Sequence, residues 1–153
     1  MKFIVKTEKQ TVDFANKFSK VVKPPLIIGI SGELGVGKTS FIRNLIKTYK
    51  NNERVKSPTF SIVEEYEYND IKIVHADLYR INKNERNYID FNSYYSDDCL
   101  ILIEWIENDL KLMRNSDIII NINILGKKDS REIKLAGNSI NGKKLIKRIK
   151  NDF

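Results

Sequence analysis

One short stretch, residues 31–39, constrains the fold of this chain more than any other. It reads Ser31-Gly32-Glu33-Leu34-Gly35-Val36-Gly37-Lys38-Thr39, so a glycine is followed after four residues by Gly-Lys-Thr. The apolar run Leu26–Ile30 comes directly before it and predicts a strand buried on both faces. Apolar residues recur at helical spacing after it, up to about Tyr49. A buried strand, a glycine-rich turn and a helix in this order indicate a phosphate-binding loop rather than an ordinary glycine turn.

The residue types of this loop suit the phosphates of a nucleotide. The glycines let the backbone curl so that its N–H groups point at phosphate oxygens, and the following helix adds its positive end. Lys38 can reach the β- and γ-phosphates, and the Thr39 hydroxyl is suited to ligating Mg²⁺. The expected nucleotide-binding residues of the loop are Glu33, Leu34, Gly35, Val36, Gly37, Lys38, Thr39 and Ser40.

Two acidic residues end apolar runs elsewhere in the chain. Asp77 follows the alternating residues 71–76, and Glu104 follows Leu100–Ile103. Metal-dependent chemistry on a nucleoside triphosphate needs an acid near Mg²⁺, commonly at the end of a strand beside the loop. Either carboxylate could hold the metal, directly or through water, while the other orients the attacking water. The residues alone leave this choice open.

Four further side chains are weaker candidates. His75, the only histidine, lacks a partner nearby in sequence, which favours a structural role over a catalytic one. Trp105 could cover a nucleotide or pack in the core. Arg80 could contact phosphate or pair with an acid. Thr59 could sense the γ-phosphate in a switch-like segment, or belong to a simple turn.

Hydrophobic periodicity predicts an α/β fold with a mixed sheet flanked by helices. We expect one domain, spanning residues 1–153, of the phosphate-loop NTPase type. The predicted elements are a strand at 2–6, a helix opened by a capping box at Thr7–Gln10, a hairpin formed by 60–68 and 71–78, a loop with a short helix at 82–98, a strand pair at 117–125 and 131–135, and a helix from about Ile140.

The positive charge is concentrated at the end of the chain. The whole sequence has a formal net charge of +7, and residues 126–153 hold 9 basic and 3 acidic side chains. This basic C-terminal segment could contact phosphates or an acidic partner, or it could simply be a solvated helix face.

Composition excludes several classes of protein. The single cysteine, Cys99, rules out a disulfide framework and a multi-cysteine zinc site. The longest apolar runs are too short to span a bilayer, and the charged start of the chain is unlike a secretory signal. We therefore expect a soluble, cytoplasmic protein without a membrane partner.

Sequence motifs also narrow the class of nucleotide-binding protein. A guanine-specific GTPase would need Asp-x-x-Gly and Asn-Lys-x-Asp, which this chain lacks, and a protein kinase is excluded by length and loop type. A small-molecule kinase remains possible, because such domains are also compact.

Four motifs, taken together, resemble the TsaE (YjeE) family, the bacterial ATPases of tRNA threonylcarbamoyladenosine biosynthesis. They occur in the family's order and cover residues 32–107: the phosphate loop, Ser57-Pro58-Thr59-Phe60, His75-Ala76-Asp77-Leu78-Tyr79-Arg80 and Glu104-Trp105-Ile106-Glu107. The resemblance implies that Lys38 binds phosphate, Thr39 and Glu104 ligate Mg²⁺, Asp77 is the acid needed for hydrolysis, Thr59 lies near the γ-phosphate and Trp105 lies beside the nucleotide.

The resemblance also implies an activity and partners. The chain would bind and hydrolyse ATP with Mg²⁺, slowly when alone, in the modification of adenosine 37 of tRNA. It would act with the TsaB–TsaD complex, resetting or releasing that complex rather than transferring the threonylcarbamoyl group itself. Contact with tRNA would be indirect or through the basic C-terminal segment. The alternative from a different class is a nucleotide-gated module that does not hydrolyse its nucleotide and binds tRNA through this segment.

Overall fold

A seven-stranded mixed sheet with helices on both faces organises the described part of the chain, in the strand order β1-β7-β6-β2-β5-β4-β3. The structure is a computed structural model, and it describes residues 1–49, 55–58, 60–81, 89–126 and 129–152. The strands are β1 (Lys2–Val5), β2 (Leu26–Ser31), β3 (Val63–Tyr68), β4 (Ile71–Asp77), β5 (Cys99–Glu104), β6 (Ile118–Ile124) and β7 (Arg131–Gly137). The helices are α1 (Glu8–Val21), α2 (Lys38–Lys47), α3 (Leu110–Asn115) and α4 (Ile140–Asp152), with 3₁₀ turns at Phe91–Tyr94 and Ile106–Asn108.

Four parallel strands, β4, β5, β2 and β6, form the centre of the sheet. Parallel strands require both faces to be covered, and β2 and β5 are correspondingly apolar along most of their length. The two buried runs expected from the sequence are direct neighbours, with Leu26 opposite Leu100. Antiparallel strands close the sheet on both sides, β3 beyond β4, and β7 with β1 beyond β6.

The larger core lies between one face of the sheet and helices α1, α2 and α4. Three aromatic rings join α1 to α2, and the centroids of Phe18 and Phe41 are 5.7 Å apart. The third ring, Phe14, lies 6.1 Å from Phe41. On the other face, a smaller apolar cluster includes Ile106 and residues of α3. The expected α/β architecture is thus confirmed.

The capping box at the start of α1 is nearly as predicted. Thr7 is the N-cap residue, and its hydroxyl accepts a hydrogen bond from the backbone N–H of Gln10 at 3.2 Å. The Gln10 side chain accepts from the N–H of Lys6 at 2.6 Å, one residue before the expected donor. Val12, in the second turn of the helix, is only half-buried.

The structure corrects two details of the predicted elements. The first hairpin strand begins at Val63 rather than residue 60, because residues 60–62 form a turn in which the Ile62 N–H donates to Pro58 O at 2.6 Å. Helix α3 was not predicted, since its six residues are too few to show a periodic pattern. Its N-cap, Asp109, accepts from the Leu112 N–H at 2.9 Å. Residues 82–88 of the predicted loop lie outside the described part of the chain.

None of the helices among the described residues combines the length and the apolar character needed to cross a bilayer.

Candidate functional site

The glycine-rich loop joins β2 to α2 at the carboxyl ends of the parallel strands. Gly37 caps α2 with a φ of 104°, a left-handed conformation that other residues adopt only with strain. Gly32 allows a close approach of two chain segments, since a Cβ there would lie 2.2 Å from the carbonyl oxygen of Ile122. The strand, loop and helix therefore occur in the arrangement that suits phosphate binding.

Lys38 folds back into this loop. Its Nζ donates to Gly32 O at 2.6 Å and to Glu33 O at 2.9 Å, and it lies 3.5 Å from the centre of the Trp105 ring. Burial lowers the pKa of this ammonium group, while the carboxylates of Glu104, Glu107 and Asp77 act in the opposite direction. A cation is thus held at the point where the loop would surround phosphate oxygens.

Glu104 is fixed on both of its oxygens. It ends β5, and only 2% of its surface is exposed. The Thr39 hydroxyl donates to its Oε2 at 2.7 Å, and Nε2 of the fully buried His75 lies 2.9 Å from its Oε1. The carboxylate is therefore held in one orientation beside the Thr39 hydroxyl.

Asp77 lies directly beside Glu104 in the sheet, because the two residues are register partners on β4 and β5. It is 6% exposed, and its Oδ1 accepts from the backbone N–H of Tyr79 at 2.8 Å. Each carboxylate therefore lies at the end of a strand, as the sequence predicted, and the structure adds that the two strands are neighbours. The two carboxylates have different hydrogen-bond partners.

A cavity of about 450 Å³ opens in front of these groups. A second cavity, of about 270 Å³, lies on the other side of the loop, and both are lined by Gly35, Gly37 and Ser40. A larger open groove of about 550 Å³ lies away from the loop, between β1 and α1, so size alone does not locate the site. The first cavity is lined by Leu34, Gly35, Gly37, Lys38, Thr39, Ser40, Asp77, Tyr79, Arg80, Glu104 and Trp105. The second is lined by Glu8, Thr11, Gly35, Val36, Gly37, Ser40, Asp129 and Arg131.

Most of the predicted site residues therefore lie together. Glu33 contributes its carbonyl to Lys38, and the buried Val36 contributes its carbonyl to Arg131 at 3.0 Å. The Trp105 ring packs against the Tyr79 ring with centroids 4.7 Å apart at the cavity wall. Thr59 lies outside the described residues.

Sequence reasoning missed the part played by His75 and Glu107. His75 precedes Asp77 by two residues and so points to the same side of β4, a signal that the alternation of a strand offers. Glu107 accepts from the Gly32 N–H at 3.1 Å through Oε1, and its buried Oε2 has no partner among the described residues. No local pattern pairs Glu107 with a glycine 75 residues away.

Lining residues of the second cavity were missed as well. The Arg131 guanidinium donates to Val36 O, which brings β7 against the back of the loop. Thr11 and Glu8 come from the first turns of α1. Arg131 is more than 100 residues from Thr11 and Glu8 in sequence. Only the packing of α1 and β7 around the loop brings them together.

Comparisons with known proteins identify relatives that match most of this chain. The family model described as "Threonylcarbamoyl adenosine biosynthesis protein TsaE" matches residues 5–133. The tRNA threonylcarbamoyladenosine biosynthesis protein TsaE of Haemophilus influenzae is 31% identical, over 90% of this chain and 90% of its own. The proteins of the same name from Aquifex aeolicus and Rickettsia typhi are 35% and 38% identical, over 80% and 78% of this chain and 86% and 83% of their own.

A solved structure supports the fold. The crystal structure of YdiB from Bacillus superimposes with a TM-score of 0.82 at 22% identity, covering 99% of this chain and 94% of the other. The overall architecture is therefore shared with that solved structure. The matched family model spans the glycine-rich loop and both acidic strand ends. The chain belongs to the TsaE family.

Proposed function

We propose that this protein binds and hydrolyses ATP with Mg²⁺, and that it serves the threonylcarbamoyladenosine modification of tRNA together with the TsaB–TsaD complex. Membership of the TsaE family supports the place in this biosynthesis. The observation that carries the proposed hydrolysis is the 2.7 Å hydrogen bond between Thr39 and Glu104, directly beside the buried ammonium of Lys38. A hydroxyl, a carboxylate and a cation thus lie together at the loop.

The two cavities suggest how the nucleotide lies. The loop would surround the phosphates, and the γ-phosphate would lie next to Asp77 and Glu104 in the cavity of about 450 Å³. Ser40 lines both cavities, so the chain of phosphates can pass it toward the second one. The sugar and base would then lie among Thr11, Glu8 and Arg131.

The residues present fit a magnesium ion. Mg²⁺ in such sites keeps several water molecules and phosphate oxygens, so one or two oxygen ligands from the protein are enough. The Thr39 hydroxyl and the Glu104 carboxylate would be those ligands. The described residues contain no group of three or more His, Cys, Asp or Glu able to hold a metal. Mg²⁺ does not need such a group when phosphate oxygens and water supply the other ligands. When bound, Mg²⁺ would neutralise charge on the phosphate oxygens.

The chain's own side chains would divide the remaining work. Lys38 would bind β- and γ-phosphate oxygens, and Asp77 would orient the attacking water and accept its proton. Glu104 is hydrogen-bonded to the Thr39 hydroxyl and to His75, which suits it to hold the metal beside Thr39. Trp105 would cover the phosphates beside Lys38.

Exposed apolar side chains near the cavity of about 450 Å³ support the idea that hydrolysis depends on a partner protein. Leu34 is 72% exposed, and Phe60, on whose ring the Arg80 guanidinium lies at 4.6 Å, is 86% exposed. Apolar groups in water at the edge of a catalytic cavity favour a protein that covers them. We propose that TsaB–TsaD does so, which would exclude water and raise the rate of hydrolysis.

The test is ATP hydrolysis measured with and without Mg²⁺, for the chain alone and with TsaB and TsaD. We expect slow turnover alone, faster turnover with both partners, and none for Lys38→Ala. Nucleotide binding without hydrolysis under all these conditions would contradict the ATPase. Turnover that requires a small phosphate acceptor instead of the partners would indicate a small-molecule kinase.

A further inference from the structure

We propose that a basic groove between α4 and the end of α1 binds the phosphodiester backbone of tRNA. The groove has a volume of about 290 Å³. Lys144 and Arg148 of α4 line one side of it, and Lys23, which follows α1, lines the other. The choice of tRNA as the RNA rests on the proposed function, whereas the recognition of phosphate rests on the charges described below.

The cations of α4 are exposed, and no ion pair joins them to a described residue. Its apolar side chains Leu145 and Ile149 are buried in the core, so the basic residues of the helix must point to solvent. Together with Lys23, they form no ion pair with another described side chain. By contrast, Lys2 and Lys134 of the neighbouring strands both pair with Glu132. The exposed cations of α4 are Lys143, Lys144, Lys147, Arg148 and Lys150.

Two stretches without any acid meet at this groove. The sequence has no Asp or Glu between Asp13 and Glu33, or between Glu132 and Asp152. A solvated helix face normally mixes both signs of charge, as the first half of α1 does with Glu8, Lys9 and Asp13. A concave surface with cations on both sides and no acid in either segment concentrates positive potential, which favours a polyanion.

The groove lacks the features of a protein-binding surface. None of its lining residues is aromatic, and its accessible charged groups are lysine and arginine. The buried centres of protein interfaces are rich in aromatic residues and poor in lysine. Cations one helical turn apart, such as Lys144 and Arg148, are about 6 Å apart along the axis and can contact neighbouring phosphates. We therefore infer backbone contacts that do not read base sequence.

The position of the groove separates it from the nucleotide site. Asp117 precedes β6 and fixes the start of α4, because its carbonyl accepts from Asn138 N at 2.9 Å and its carboxylate accepts from the Ser139 hydroxyl. The same carboxylate accepts from Ile27 N at 2.8 Å, at the beginning of β2. The phosphate loop follows the other end of β2, about 20 Å away for a six-residue strand. RNA binding and nucleotide chemistry should therefore be separable by mutation.

The test measures binding of a fluorescent, unmodified tRNA transcript by anisotropy over a range of salt concentrations. The double variant Lys144→Gln/Arg148→Gln removes two cations from the groove. The matched control, Lys111→Gln/Arg114→Gln, removes two exposed cations from α3 on the opposite face of the sheet. We expect the groove variant to bind tRNA at least about tenfold more weakly at roughly 0.1 M salt, and the salt slope to fall by about 1.4–1.8. The control should bind like the wild type.

Three outcomes would overturn the proposal. These are tRNA binding by the wild type that is undetectable at low salt, an equal loss of binding in the α3 control, and an unchanged affinity in the groove variant. If the groove variant binds tRNA normally but no longer binds TsaB–TsaD, the groove serves an acidic protein surface instead.

Nucleotide binding and thermal unfolding are measured for each variant as well. These two controls make the result of the tRNA test independent of whether the protein is an ATPase. We expect both properties to match the wild type in the groove variant. A wild-type chain that binds tRNA through the groove yet never hydrolyses ATP would contradict the ATPase and leave the groove proposal intact.

Discussion

Charged side chains have opposite environments at the two ends of the parallel strands. At the carboxyl ends, Lys38, Asp77 and Glu104 are almost fully buried, and each has hydrogen-bond partners at 2.6–2.9 Å. At the amino ends, the cations of α4 and Lys23 are exposed and form no ion pairs with described side chains.

This difference separates two kinds of electrostatic function. A buried charge is stable only if specific groups replace the water that it lost, so removing one partner affects the others strongly. Exposed charges interact through water and salt. Each one therefore contributes little free energy, and the contributions are roughly additive and screened by ions. We therefore expect substitutions at the carboxyl ends to be severe and specific, and those at the amino ends to be mild.

The largest effects on activity are expected from variants that distinguish the roles of the two carboxylates, Asp77 and Glu104. Asp77→Asn should lower ATP turnover, with partners present, by about 10² or more because it removes the proposed base, while Mg²⁺-dependent ATP binding persists. Glu104→Gln should remove the Mg²⁺ dependence of ATP binding, because an amide is a weaker ligand than a carboxylate. Calorimetric titration of ATP with and without Mg²⁺, beside turnover measurements, distinguishes the two roles. If both variants lost the Mg²⁺ dependence equally, the assignment of the metal ligand to Glu104 would be wrong.

The contact between His75 and Glu104 should be the next in size. His75→Phe leaves Glu104 Oε1 buried without this partner, which should lower the free energy of unfolding by about 1–3 kcal/mol. His75→Gln is the matched variant, since its amide can donate from a similar position and should recover part of the loss. Urea unfolding measures both. Equal stability of the Phe variant and the wild type would show that the contact carries no net stability.

Cys99, at the amino end of β5, tests whether that end of the sheet is closed to solvent. The side chain is fully buried, and burial raises the pKa of its thiol above the ordinary value of 9.0. Because the folded protein holds this proton more tightly, the thiol's contribution to stability should be lost as the pH rises above 9.0 toward the higher pKa of the folded state. At pH near 8, iodoacetamide should modify Cys99 only after unfolding. Rapid modification of the native protein, followed by mass spectrometry, would show that this end opens.

The smallest effect on stability is expected at the basic groove. Lys144→Gln/Arg148→Gln should change the free energy of unfolding by less than about 0.5 kcal/mol, because neither cation forms an ion pair with a described residue. Urea unfolding at low and high salt is the measurement. A loss of several kcal/mol would show that these cations stabilise the fold, and would remove the contrast between the two ends.

Much of the fold was predictable because its signals are local. The glycine loop, the two apolar runs and the hairpin turn at Asn69-Asp70 each occupy fewer than ten consecutive residues. Backbone geometry within such a window follows from residue type, as at Gly37, where a positive φ is required. The elements without such a window, such as α3, were missed.

The site was predictable in its composition but not in its contacts. Asp77 and Glu104 were each recognised as strand ends, yet the partners that distinguish them, His75 and Thr39 for Glu104 and the Tyr79 N–H for Asp77, depend on strand order and register. Glu107 and Arg131 reach the loop from segments remote in sequence.

The sequence by itself determined that this chain carries a phosphate-type loop between a buried strand and a helix, because those features depend on neighbouring residues. Only the tertiary structure decided which carboxylate faces Thr39, and that Lys23 joins the cations of α4 in one groove. Both results follow from the pairing of strands and the packing of helices, which place residues together by burying apolar surface across the whole chain.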